Sequence, residues 1–236
     1  MSELSQKLDD SQAQQEVYSH GYNSSTIQRQ ETRTVEQDAA FLLPYLRSGM
    51  SLLDCGCGSG SITVGLASIV TPGQVIGIDI EESVIEQATS RAIEDGISNV
   101  TFKVASVYEL PFPDQSFEGV FAHTLLEHLR EPMRALAEMK RVLKLGGIVG
   151  LRDMDARGIL YAPEDSPMTK VNSLVEQQMK YNGGNPHLGS RLGSVLRKAG
   201  FVGNEISATF SQEDPENLAE IFTHRILNPP LGMRIK

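Results

Sequence analysis

Residues 52–60, Leu-Leu-Asp-Cys-Gly-Cys-Gly-Ser-Gly, form a short apolar run that ends in an acidic, glycine-rich turn. Gly56, Gly58 and Gly60 recur at every second position, so the backbone there can take positive φ and approach a ligand without side chains intervening. The dinucleotide pattern G-x-G-x-x-G would need a glycine or alanine where Ser61 stands, and it works by offering a pyrophosphate the positive end of a helix. Asp54, two residues before the first glycine, opposes such an anion. A cationic cofactor without phosphate suits the turn better, and S-adenosylmethionine carries both an α-ammonium and a sulfonium. A nicotinamide dinucleotide is the less favoured alternative.

Other residues with chemical potential follow in order. Asp79 ends the apolar run Gln74–Asp79 about 20 residues after the glycines, where a doubly wound fold puts the carboxylate that takes ribose hydroxyls. His123 falls just past a fourth strand-like run, at the edge where open α/β sheets bind ligands, and is a candidate wall residue or general base. His128 sits in a helical-looking Leu-Leu-Glu-His-Leu run and reads as a packing histidine. Asp153 and Asp155 follow a fifth strand; either could bind an amine or remove a proton, and Asp153 is preferred. Tyr18, His20 and Tyr22 form an aromatic cluster suited to a lid, although a frayed tail explains them equally well. His187 is a loop residue with a substrate contact as its functional reading, and Arg191 reads as a surface charge. Cys55 and Cys57 are the only cysteines, and with no second pair they do not make a structural zinc site, so no metal is expected.

These positions require a scaffold of alternating strands and helices. Strand signals lie near 51–55, 74–79, 99–104, 117–122 and 147–152, with helices near 60–69, 82–95 and 132–144 between most of them. Such alternation predicts a parallel, doubly wound sheet with helices on both faces. The helix from Pro132 carries Leu136, Met139 and Leu143 on one face, with Gly146-Gly147 as its stop. From Thr34 an apolar series (Val35, Ala39, Leu42, Leu43, Leu46) has helical spacing, which Pro44 should shorten. Beyond 152 the pattern loosens, with helices expected at 168–181 and 189–199, a strand at 201–209 and a helix at 215–227. The expected organisation is an N-terminal helical lid segment over 1–45 and one domain over 46–236, with a substrate-covering insertion at about 153–200.

The 236 residues suffice for one large α/β domain with a full core. Twenty-one basic against 30 acidic residues leave a net charge of −9, with no basic block, which argues against duplex nucleic acid or an anionic membrane as partner. No opening apolar segment resembles a signal peptide and no run approaches a bilayer span, so a cytoplasmic protein is expected. A homodimer is allowed, but nothing in the residues fixes oligomeric state.

With these residues assembled, the chain resembles the class I S-adenosylmethionine-dependent methyltransferases, most closely the ubiquinone/menaquinone-type group that acts on small molecules. The motifs are residues 52–60, Gly77–Ile80, Leu110–Phe117, Leu125–Leu129 and Arg141–Gly147, in family order over roughly 45–152. The resemblance implies a Rossmann-like fold in which Asp54, Gly56, Cys57, Gly58 and Gly60 surround the methionine part of the cofactor. It implies that Asp79 holds the ribose, that Ile80 packs on the adenine, and that Ser106 and Val107 meet the adenine edge. Ser106 stands where the family commonly has aspartate, so its bond would lack charge. The family also ends in an antiparallel hairpin, of which only one strand is legible here. The expected activity is methyl transfer to an O, N or C centre of a small-molecule metabolite. The alternatives are a regulator that binds the cofactor without catalysis and, further off, an NAD(P)-dependent oxidoreductase.

Overall fold

The computed structural model describes residues 18–22, 24–160 and 167–209. Five parallel strands, β1 (Leu52–Cys55), β2 (Val75–Asp79), β3 (Val100–Val104), β4 (Phe117–His123) and β5 (Leu143–Arg152), lie in the order β3-β2-β1-β4-β5. Ahead of the sheet come α1 (Ser24–Glu31) and the short α2 (Val35–Asp38). Helices α3 (Ser61–Val70), α4 (Glu82–Glu94) and α5 (Pro132–Val142) form most of the crossovers, and α6 (Pro167–Tyr181) and α7 (Leu192–Lys198) follow the fifth strand. The order reverses beside β1, which pairs with β2 on one side and β4 on the other, and the crevice beyond the carboxyl ends of such strands is the usual ligand position.

Strand alternation sorts the core into two layers. Leu53, Cys55, Val120 and Ala122 pack with Ala135, Leu136, Met139 and Val142 of α5, while Leu52 and Phe121 pack with Leu66, Ala67 and Val70 of α3 and with Val35, Ala39 and Leu42. Each leucine removed from water in this way stabilises the fold by about 2 kcal/mol. The same alternation puts Asp54, in step with Leu52, and His123, in step with Phe121, on the α2/α3 side.

The expected β-α alternation holds for all five strands and the three crossover helices, and Pro44 does break the series after Thr34, leaving α2 and a 3-10 turn at Leu43–Tyr45. Three expectations are corrected. Gly146-Gly147 do not stop α5, which ends at Val142; the chain enters β5 directly and bulges between the pairs Phe117↔Leu143 and Gly119↔Ile148, with Gly146 at φ 76°. A Cβ on Gly147 would lie 2.9 Å from the carbonyl oxygen of Glu118, so glycine is needed for strand approach. No strand forms over 201–209, because Gly203 takes φ 66°, Asn204 Nδ2 turns back to donate to the carbonyl of Phe201, and Val202 and Ile206 stay exposed. The 189–199 helix divides into a 3-10 turn (Gly189–Arg191) and α7. The helix expected at 215–227 lies outside the described residues.

Candidate active site

β1 delivers Asp54 and the glycine turn to the crevice. The amides of Gly56 and Cys57 both donate to the carbonyl of Ile78 (2.8 and 2.9 Å), tying the turn to β2. Asp54 is buried beneath the turn, and its Oδ2 accepts a 2.6 Å bond from Thr63 Oγ1. Burial pushes its carboxyl up to about 7, with the charge of Asp79 adding to the rise and the Thr63 bond opposing it. Asp79 Oδ2 accepts from the amide of Gly58 (3.1 Å) and Oδ1 from the amide of Glu81 (3.2 Å); burial raises this carboxyl as well. Gly58 takes φ 51°, and a Cβ there would come within 2.6 Å of Gln30 Oε1. Gly60 faces elsewhere: a Cβ on it would meet Ala88 of α4 and Phe102 of β3 at 2.8 and 2.9 Å. The absence of a side chain at Gly60 thus serves helix-strand packing.

The N-terminal segment lies over this crevice. Tyr22 OH donates to Asp79 Oδ1 at 3.3 Å, and burial followed by the Asp79 charge raises the phenol. The Tyr18 ring stands 5.1 Å from Tyr22, 5.5 Å from His20 and 4.8 Å from His128, and His20 and His128 are also 4.8 Å apart. All three expected lid residues thus come together on the crevice, joined by a histidine read from sequence as packing. Gln30 Nε2 reaches Tyr18 OH at 3.5 Å, while Gln30 Oε1 is buried with no donor. Buried Asn182 donates to Ser19 Oγ, tying this segment to the residue after α6.

At the ends of β4 and β5 the side chains are engaged with each other. His123 Nε2 lies 3.4 Å from Asp38 Oδ1, its Nδ1 lies 3.4 Å from Thr124 Oγ1, and its ring stacks on Phe121. Burial lowers its pKa and outweighs Asp38, leaving the imidazole neutral at pH 7. Asp38 Oδ1 also takes a 2.8 Å bond from Arg152. Thr124, β-branched yet at φ 49°, turns the chain out of β4 into the 3-10 turn Leu126–His128, and backbone strain of this kind collects at sites. Asp153 Oδ1 accepts from the amide of Glu127 (3.3 Å), and the carboxylate faces the amides of Leu125 and Leu126. Burial and then the neighbouring Glu127 raise its pKa. Asp153 thus caps the turn that carries His128. Glu127, itself buried, accepts from the amide of Met154.

The remaining candidates divide. Ile80 is 45% exposed beside Asp79, an apolar face open to a planar ligand, and Val107 is buried. Ser106 Oγ accepts from the amide of Tyr108, and Cys57 Sγ meets the carbonyl of Gly58. Asp155 and His187 are not brought to the crevice residues. Asp155 binds Arg157, which holds its carboxyl well below the usual range, while His187 spans Asp155 (3.6 Å) and Glu176 of α6 (3.4 Å). They form a joint between the β5 loop and α6. Gln30 and Asp38 were missed because in sequence they sit in a polar stretch, and Thr63 because it reads as one more position of an apolar helix; only the fold brings them to the strand ends.

The residues fit a ligand that is cationic at one end and hydroxylated at the other. Asp54 has no cation in ion-pair range among the described residues, and Gln30 Oε1 is a buried acceptor awaiting a donor at the glycine turn. Residues 46–221 match the family model of the methyltransferase domain. The chain is 43% identical over 145 residues to the probable methyltransferase ltbC of Aspergillus luteorubrus, covering 58% of this chain and 51% of that one. It is 31% identical over 225 residues to an uncharacterized methyltransferase of Schizosaccharomyces pombe, covering 89% and 80%. The chain therefore spans about half the length of the first relative and four fifths of the second. The crystal structure of a SAM dependent methyltransferase from Aquifex aeolicus shares the fold, with a TM-score of 0.58, 24% identity, and coverage of 76% of this chain and 89% of that one.

Proposed function

The chain belongs to the class I S-adenosylmethionine-dependent methyltransferases, and from that premise we propose that it transfers a methyl group to an O, N or C centre of a small-molecule metabolite. The cofactor is S-adenosylmethionine. The observation that carries the reading is the pair of buried carboxylates, Asp54 and Asp79, under a glycine turn with no cation beside them among the described residues.

When bound, the cofactor supplies a methyl group on a sulfonium, a good leaving group, so alignment and exclusion of water provide much of the rate. In this reading Asp54 and Gln30 Oε1 hold the cationic end, with Gly56, Cys57 and Gly58 beneath it. Asp79 accepts the ribose hydroxyls once Tyr22 gives up Oδ1, and Ile80, Ser106 and Val107 border the adenine. Of the segment 1–45, the described residues 18–22 and 24–45 act as the lid, and of about 153–200 the described residues act as the cover of the acceptor; the rest lie outside the described residues. Tyr18, His20 and Tyr22 exclude water from above. His123, neutral and fixed by Asp38, and Asp153, holding the turn of His128, position the wall facing the acceptor.

Calorimetry with S-adenosylhomocysteine, with Asp79→Ala as control, tests the binding half; mass spectrometry of an acceptor library for the gain of one methylene unit tests the transfer. Saturable binding that Asp79→Ala weakens, followed by a methylated product, is expected. Binding without any product across the library would leave a non-catalytic regulator as the better description.

A further inference from the structure

Arg33 joins α1 to α2. Among the described residues it makes no hydrogen bond and no ion pair. The residue is half-buried, which disfavours its charge, and its electrostatic neighbours are Tyr18, Arg29, Asp38, Glu127 and His123. The two acids among them are already committed. Asp38 Oδ1 serves Arg152 and His123, and Asp38 Oδ2 accepts from the amide of Thr34; Glu127 Oε2 accepts from the amide of Met154 and its Oε1 lies beside His128. Arg29 adds a second positive charge. A guanidinium cannot shed its proton to escape this cost, so an anion arriving beside it is favoured.

A second, independent observation lies in the same place. Both ring nitrogens of His128 are buried without a hydrogen-bond partner, although the residue is only 4% exposed. Its nearest acid, Glu127 Oε1, stands 3.4 Å from Nε2 without hydrogen-bond geometry. Buried polar atoms are seldom left unmet, and the exceptions ask for a ligand. Tyr18 links the two groups, since its ring touches His128 at 4.8 Å, its hydroxyl meets Gln30, and it lies within the field of Arg33. Gln30 in turn faces Gly58, so these residues adjoin the proposed seat of the cofactor's charged end.

Resting on the methyltransferase reading, we propose that the acceptor is an acidic small molecule whose anionic oxygen, carboxylate or enolate, is held by Arg33, with a neutral polar group meeting His128. Arg33 is then the residue that selects the acceptor by charge.

The test is calorimetry on the full chain saturated with S-adenosylhomocysteine, using a panel of small aromatic and aliphatic carboxylic acids, each paired with its primary amide. At least one acid should bind about tenfold or more tightly than its amide, the scale of a charge-assisted bidentate bond. Arg33→Gln should reduce that preference to within about twofold while leaving S-adenosylhomocysteine affinity unchanged. Either a panel in which no acid outbinds its amide or a preference that survives Arg33→Gln would overturn the proposal. Failure of wild-type protein to bind S-adenosylhomocysteine would instead strike the cofactor reading beneath it.

Discussion

Cofactor binding should depend on pH through Asp54, with a sign and size that follow from its burial. The ligand-free carboxyl titrates at about 7, raised chiefly by desolvation. A cation placed beside it favours the charged form, so the bound value must be lower and binding must expel a proton wherever the free group is protonated. Half of the ligand-free protein carries that proton at pH 7 and about ten parts in eleven at pH 6. The affinity for S-adenosylhomocysteine should therefore fall about fivefold from pH 7 to pH 6, or about 1 kcal/mol. Calorimetry at pH 7 in buffers of different ionisation enthalpy should find about half a proton released per ligand. Asp54→Asn should bind more weakly at pH 7 and lose this slope. The same shift acts on folding: with 3.8 as the ordinary value and about 7 in the fold, the stability from Asp54 is whole below about pH 4 and is lost as pH rises through 7. Asp54→Asn should accordingly raise the thermal midpoint of the ligand-free protein more at pH 8 than at pH 5. A wild-type affinity that stays flat between pH 7 and 6, or a slope unchanged in Asp54→Asn, would refute the placement of the cation.

Four further outcomes are expected. Gly58→Ala puts a Cβ 2.6 Å from Gln30 Oε1 at a positive φ, and should weaken S-adenosylhomocysteine binding about tenfold or more in calorimetry. Tyr22→Phe removes the side-chain donor on Asp79 Oδ1 and leaves the Glu81 amide in place, so the same assay should show binding tightened by a few fold, the scale of one hydrogen bond. His123→Ala and Asp153→Asn should slow turnover of an identified acceptor more than they weaken cofactor binding, because both lie in the wall at the β4 and β5 ends; equal losses would mark them as supports of the fold alone. Leu136→Ala, at a fully buried position between α5 and the sheet, should cost about 2–5 kcal/mol in urea unfolding.

The chain alone determined the layered α/β architecture, because apolar runs such as Leu52-Leu53 and Val75–Ile78 and the spacing of Leu136 and Met139 are local signals that name strand and helix directly. It also determined the glycine turn and Asp79, whose spacing is a property of one strand-turn-helix unit. What it left out is long-range. Gly146 reads as a helix stop and becomes a strand bulge, because the register against β4 decides which backbone needs a positive φ. Asp153 reads as a loop acid and becomes a cap for the Leu126–His128 turn, because its amide partners come from another loop. Arg33 and Gln30 sit in a polar stretch indistinguishable from a solvated tail, and only tertiary packing buries Gln30 and half-buries Arg33 near Tyr18. A side chain's type is written in the sequence, but whether its charge has a partner depends on which distant segments the fold brings beside it.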